Sequence, residues 1–475
     1  MRTALLALLL VAGVPAIPLR AQTAPDLAGT WLGTLDLGAK LRVVFHVQAG
    51  EASGWSATMD SPDQGANGIP VSAVIVTGLD VRFEVAVAGA AYAGTFDPET
   101  GRLTGSWLQG GMTLPLVLER TADVEPPKRP QEPKAPFPYL VEDVRFENTA
   151  AGITLAGTLT VPPGDGTFPA VVLVTGSGPQ NRDEELLGHK PFAVLADHLT
   201  RRGIAVLRFD DRGIGASTGD FATATTEDFA GDALAAVSFL QTRLEVAADH
   251  IGIAGHSEGG IVAPMAAGRS DRVSFLVLMA GTGLRGDEII YLQSALIGRA
   301  EGGDEEAIQK NLARQKAYFD VVASEPDPTR ATETLKVMMD DDLAAMTDAE
   351  KAEAGLTGTD IDALIAGQIQ QLNSPWFRFF LTYDPLPALS KVRVPVLAVN
   401  GTLDLQVPYK ENLAAIEKAL RDGGNDDVTT VAFEGLNHLF QTAQTGSPTE
   451  YARIEETMAP RALETIANWI LDRTR

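Results

Sequence analysis

Apolar and polar positions follow different rhythms in different stretches of the chain. From Asp26 to about Thr121 short segments carry the two-residue period of half-buried strands, as in Leu41–Val47 and Val81–Val87. Gly, Asn and Asp separate them, and Asp97-Pro98-Glu99-Thr100-Gly101 is turn chemistry between two more. This pattern predicts a small antiparallel β domain, a barrel or a sandwich, over residues 26–121. Residues 122–138 are dense in proline among charges, the composition of a semi-rigid, solvated linker.

After Tyr139 the rhythm changes. Two β segments, Val141–Phe146 and Ile153–Val161, precede an alternation of apolar strands and amphipathic helices. Ala170–Val174 is an uninterrupted apolar run, as expected of a strand buried on both faces of a parallel sheet. A helix is expected over Pro191–Arg202, a strand over Ile204–Phe209, and a helix after Thr225, which forms a capping box with Asp228. Strands Ile251–Ala254 and Val273–Met279 follow, with a helix after Gly259 between them. Alternation of this kind predicts an α/β fold with a mostly parallel sheet over residues 139–475. Leu284–Leu389 interrupts it with Ala-, Glu-, Asp- and Gln-rich helical sequence. An insertion of about 100 residues is too long for a loop and is expected to form a helical cap. Strands Val394–Asn400 and Val428–Phe433 and two helices complete the pattern.

Composition narrows the class of function. A formal net charge of -24 opposes binding to phosphate backbones and anionic lipid, so no nucleic-acid partner is expected. Met1-Arg2, a short apolar run to Val14 and Ala21 read as a secretory signal over residues 1–21, which predicts an exported protein, periplasmic or secreted. No later apolar stretch reaches transmembrane length. The absence of cysteine excludes disulfides, thiolate metal sites and a cysteine nucleophile. Histidine is scarce and no H-E-x-x-H spacing occurs, so neither a metal nor another cofactor is expected. Oligomeric state is left open.

Candidate chemistry centres on Gly255-His256-Ser257-Glu258-Gly259-Gly260, a G-x-S-x-G pentapeptide with a further glycine, set between a strand and a helix. That setting puts a serine on a sharp turn, and the glycines let neighbouring backbone approach it. The hydroxyl needs a base. Of six histidines only His438 follows Ser257, and it lies just past the last strand. Asp404 follows the preceding strand and is the expected acid, giving the chain order Ser, Asp, His. The two oxyanion N–H groups are expected from Glu258 and from the Gly-rich run Thr175–Gln180, by position from Ser177, with Gly178 the second choice. His256 is expected to point away from the serine. Gly281-Thr282-Gly283-Leu284-Arg285-Gly286 matches G-x-G-x-x-G, but no βαβ unit follows, so no dinucleotide site is expected. The aromatic run around Trp376 and Phe377 is read either as cap packing or as part of a substrate pocket.

Taken together, Gly255–Gly260, Ser177–Asp183, Trp376-Phe377-Arg378, Asp404 and Leu436–Phe440 resemble bacterial carboxylesterases with a GHSEGG elbow, and are similar also to serine aminopeptidase-like hydrolases. The resemblance covers about residues 139–475. It implies the α/β-hydrolase fold, small acyl esters as substrates and no cofactor, with Asp210–Ser217 as a supporting loop. The expected function is therefore ester hydrolysis through an acyl-enzyme. Peptidase or amidase activity with the same residues, in which Glu258 holds a substrate amine, is the alternative. An exported, non-catalytic binding protein is the third reading.

Overall fold

The computed structural model describes residues 25–474 apart from 37–39, 51–53, 65, 110–111, 125–127, 348–349, 352–355 and 357–360. The leader expected over residues 1–21 lies outside the described residues. The chain divides into two compact units, residues 1–59 with 68–124 and residues 60–67 with 125–475.

The nine N-terminal strands are β1 (Gly29–Asp36), β2 (Lys40–Ala49), β3 (Trp55–Ser61), β4 (Ala66–Pro70), β5 (Ala73–Thr77), β6 (Asp80–Val85), β7 (Ala90–Asp97), β8 (Arg102–Gln109) and β9 (Met112–Thr121). They form one sheet in the order β4-β3-β2-β1-β9-β8-β7-β6-β5. The first and last strands pair antiparallel, with Thr30 opposite Thr121. In a flat sheet β2 and β6 would lie roughly 24 Å apart. The rings of Phe45 on β2 and Phe83 on β6 are nevertheless 4.5 Å apart, so the sheet curls on itself around an aromatic core. The result is an antiparallel half-barrel filled by Trp31, Phe45, Phe83, Tyr92 and Trp107. The alternation that predicts a strand through Val87 stops earlier. Ala86–Ala88 turn as a 3-10 segment, and Gly89 takes a left-handed φ of 56°. Val87, apolar but 75% exposed, has no core to join.

The second unit is an α/β sandwich. Its sheet contains β10 (Leu140–Asn148), β11 (Ile153–Val161), β12 (Phe168–Val174), β13 (Ala205–Phe209), β14 (Val246–His256), β15 (Phe275–Met279), β16 (Val396–Gly401) and β17 (Val428–Phe433), in the order β10-β11-β13-β12-β14-β15-β16-β17. The first two strands are antiparallel to their neighbours, and the remaining pairs are parallel. Alternate residues feed alternate layers. Ala170, Val172 and Val174 face one layer, while Val171 and Leu173 face the other. The first layer packs on α2 (Thr226–Leu240), α3 (Gly259–Ala267) and α10 (Tyr409–Asp422). The second packs on α1 (Pro191–Arg201) and α11 (Pro460–Thr474).

Between β15 and β16 the chain forms α4 (Gly286–Ala300), α5 (Glu305–Ser324), α6 (Pro328–Ala345), α7 (Ile361–Leu372), α8 (Pro375–Thr382) and α9 (Leu386–Leu389). These helices own a small core of Phe319, Leu335, Ile369, Phe377 and their neighbours. Phe380 and Leu389 join the main core instead. The proline-rich stretch differs from a solvated linker from Lys128 onward. Arg129 donates to the main-chain oxygens of Leu187, Ala452 and Ile454 at 3.0, 2.8 and 3.3 Å. The Gln131 amide bonds the main chain of Thr457 and Met458.

A buried ion pair secures the loop after β13. Arg212 grips Asp232 of α2 through Nε and Nη2 at 2.8 and 2.9 Å, and Asn148 donates to the same carboxylate at 2.7 Å. Asp232→Ala removes the buried carboxylate, leaving Arg212 the Asp228 carboxylate at 3.4 Å and its main-chain oxygen at 3.1 Å, and is expected to lower the unfolding free energy by up to about 3 kcal/mol. A urea melt measures this as a lower midpoint at unchanged slope, and an unmoved midpoint would show that the pair carries no stability.

Candidate active site

Every candidate group leaves the sheet at the C-terminal ends of its parallel strands, the usual ligand edge of such sheets. Ser257 directly follows β14, with φ at +53°, a conformation that L side chains rarely adopt. Its N–H donates to Met279 O at 2.8 Å. A Cβ on Gly255 would run into the Gly259 carbonyl, and one on Gly259 into the Val174 carbonyl. The glycines of the pentapeptide are thus required by close backbone approach, and α3 starts directly beneath the serine.

His438 lies in the loop after β17. Its Nδ1 is 2.8 Å from Asp404 Oδ2, and both residues are buried. Asp404 Oδ1 accepts the N–H groups of Gln406 and Val407 at 2.9 and 2.8 Å. A carboxylate held in this way accepts a hydrogen bond from Nδ1–H, which fixes the proton on Nδ1 and leaves Nε2 as the basic nitrogen. Asn437 shapes the loop by accepting the N–H groups of Leu439 and Gln441 at 3.1 and 2.9 Å.

The loop after β12 supplies the opposite wall, held by a buried acid, Glu184, and a half-buried one, Asp211. Gly176 N–H donates to Glu184 Oε1 at 2.8 Å. Asp211 accepts the Thr175 hydroxyl and the Gln180 N–H at 3.0 and 2.9 Å. Among the described residues, the N–H groups of Ser177 and Glu258 have no protein acceptor. Ser177 lines the cavity over the site, whereas Gly178 does not. That cavity has a volume of about 350 Å³ and is walled by Ser257, His438, Ser177 and Glu258 from the sheet edge. The insertion contributes Ile290, Gln293, Trp376, Phe377 and Phe380. Trp376 and Phe377 of the aromatic run thus line this cavity, and Phe377 also packs the core of the insertion.

The Glu258 side chain joins the two parts of the site. Its Oε1 accepts the Thr226 hydroxyl at 2.6 Å and the Trp376 indole N–H at 2.8 Å. Burial raises its pKa, against hydrogen bonds from Thr226, Trp376 and Ser177. Asp211 is pushed up to about 8, first by burial and further by the charges of Glu258 and Glu184, although its bonds from Gln180 and Thr175 oppose the shift.

Sequence reasoning missed Glu184 and underused His256. His256 Nδ1 lies 2.8 Å from Glu184 Oε1 and its Nε2 3.0 Å from His438 O, so it braces the loop that carries His438. No sequence signal joins residues so far apart. The G-x-G-x-x-G run is used in packing. Gly281 abuts Gly260, Gly283 donates to Asn412 at 2.9 Å, and a Cβ on Gly286 would strike the Phe380 carbonyl. Among the described residues, no group of three or more His, Asp or Glu could hold a metal ion, and no helix is long and apolar enough to cross a membrane.

Comparison with known proteins gives a consistent picture. Residues 171–454 match the alpha/beta hydrolase family. Esterase EstD of Thermotoga maritima is 27% identical over 342 residues, covering 70% of this chain and 70% of that protein. Among solved structures, the alpha/beta hydrolase GrgF from Penicillium is similar with a TM-score of 0.43 at 18% identity, over 70% of this chain and 97% of that one. The Pyrococcus furiosus esterase Pf2001 is similar with a TM-score of 0.42 at 16% identity, over 70% of this chain and 91% of that one.

Asp211 yields a pH prediction. An unfolded aspartate loses its proton near 3.8, whereas the folded one keeps it to about 8. Between those limits the folded state binds more protons, so stability falls as pH rises. The expected loss from this group is at most about 1.4 kcal/mol per pH unit. Asp211→Asn should flatten the decline of Tm across that window, and parallel Tm profiles for the two proteins would refute the assignment.

Proposed function

The chain belongs to the alpha/beta hydrolase family, and from that premise we propose that it is a serine carboxylesterase acting on small, uncharged esters through an acyl-enzyme. Ser257 Oγ is the nucleophile, His438 Nε2 the general base, and Asp404 the acid that orients the ring. The observation that carries the reading is the 2.8 Å contact of His438 Nδ1 with a buried Asp404, with His438 in the wall of the cavity that Ser257 enters from its strained turn. In the first step Oγ adds to the ester carbonyl while Nε2 takes its proton. The N–H groups of Ser177 and Glu258 receive the oxyanion. Collapse releases the alcohol, which takes the proton from Nε2, and a water then repeats the sequence on the acyl-enzyme.

One feature favours esters over substrates with a free amine: the carboxylate beside Ser257 is already engaged by Thr226 and Trp376. The name of the Thermotoga relative points the same way. Aminopeptidase or amidase chemistry uses the same groups and is the reading to test against. We also propose that residues 1–21 are an export leader, so N-terminal sequencing of protein secreted by the native cell should begin after about Ala21. An intact Met1 would remove that proposal.

Hydrolysis of p-nitrophenyl acetate and butyrate should exceed that of aminoacyl p-nitroanilides, and the reverse order would shift the function to a peptidase. Ser257→Ala should lower kcat by about 10⁴-fold or more and abolish labelling by a fluorescent phosphonate. Asp404→Asn should cost about 10³- to 10⁴-fold, since it disturbs the tautomer of His438. Ester turnover unchanged in Ser257→Ala would end the proposal.

A further inference from the structure

His256 sits between two groups that only accept hydrogen bonds. The His438 carbonyl oxygen, 3.0 Å from Nε2, carries no proton, so Nε2 carries one. The 2.8 Å contact between Nδ1 and Glu184 Oε1 needs another. Glu184 Oε1 also accepts the Gly176 N–H at 2.8 Å, and an oxygen with two donors is best served as a carboxylate. The ring is therefore protonated at both nitrogens. Imidazolium and carboxylate together carry no net charge, one proton more than a glutamate beside a neutral histidine.

The position of this pair gives the proton a purpose. Both side chains are buried, at 6% and 4% exposure. A Cβ added to Gly176 would lie 3.2 Å from Ser257 Cβ, 3.4 Å from Glu184 Oε1 and 3.6 Å from His256 Nδ1. The next residue, Ser177, offers its N–H to the oxyanion. An unneutralised carboxylate here would repel the negative charge that develops in the reaction, and among the described residues no lysine or arginine lines the cavity to offset it. Glu184 is held at φ +51°, a further sign that its place is fixed by its partners.

We propose that Glu184 and His256 form a second carboxylate–imidazole pair, which ties the oxyanion loop to the main chain of His438 and keeps the ground behind the oxyanion uncharged. Both are positioning residues, acting through Gly176 and His438, and the proposal rests on the hydrolase reading of Ser257. The environment of His256 agrees. Burial lowers its pKa, but the charge and hydrogen bond of Glu184, the His438 carbonyl and the charge of Asp404 together raise it above the ordinary value.

The test is a double-mutant cycle on the full chain with p-nitrophenyl acetate. His256→Asn leaves the Glu184 carboxylate without its proton and should lower kcat by about 100-fold, with KM within about threefold. Adding Glu184→Gln removes the stranded charge and should recover at least about tenfold in kcat. A merely structural strut predicts that the second change helps nothing. A double variant no faster than His256→Asn, or His256→Asn at the wild-type rate, overturns the proposal. If His256→Asn fails to fold, NMR of the wild-type chain with ¹⁵N-histidine decides. One ring should stay doubly protonated above the pH at which an ordinary histidine loses its proton. No such ring overturns the proposal. Wild type that neither turns over ester nor takes up phosphonate instead removes the reading of Ser257, and the role of the pair with it.

Discussion

The turn at Ser257 is the constraint around which the rest of the site is arranged. A residue with a side chain holds a left-handed φ only where its surroundings leave it no relaxed alternative. Here the constraint is backbone pressed on backbone. β14 enters, α3 leaves, and Gly255, Gly259 and Gly260 let both run against the loops after β12 and β15. Ala280 and Phe440, at φ +50° and +60°, lie on the neighbouring loops, so the strain is shared across the sheet edge. The parallel register then brings the ends of β12, β14, β16 and β17 to the same side of the sheet, and four loops deliver their groups to one cavity.

The loop opposite Ser257 solves a different problem. On the proposed reading the N–H groups that receive an oxyanion stay unpaired, while the peptide groups beside them still need partners in a dry place. Acidic side chains meet that need. Glu184 takes Gly176, and Asp211 takes Thr175 and Gln180. Glu258, next to Ser257, takes Thr226 and the indole of Trp376, so α8 of the insertion is bonded to a residue of the turn. Acids gathered behind an oxyanion site would weaken it if all were ionised. The upward shifts of Asp211 and Glu258 and the paired state of Glu184 each reduce that charge.

Much of this was legible in the sequence because the signals are local or ordinal. Ala170–Val174 reads as a doubly buried strand because each of its residues faces one of two apolar layers. Asp404 and His438 are found from chain order and from their places after apolar runs, and the structure puts them 2.8 Å apart. What the sequence hid depends on partners far along the chain. His256 meets Glu184, 72 residues earlier, and His438, 182 residues later. Trp376 meets Glu258 across 118 residues. Neither partner has a side-chain type that announces the contact. The end of β6 was hidden for another reason, because Val87 keeps the alternating pattern after the core it would face has run out.

The side chain of Arg129 changes where one part of this protein ends and the next begins. It closes on three carbonyls, two of them in the segment that runs on from the His438 loop toward α11. The prolines after it are therefore not a tether of arbitrary length but the opening residues of the hydrolase itself. A cleavage or a domain exchange between Arg129 and Tyr139 would strip that segment of its clasp, although it would remove no residue of the sheet. Recombination that swaps the N-terminal half-barrel for another domain can preserve the clasp only by joining upstream of Arg129.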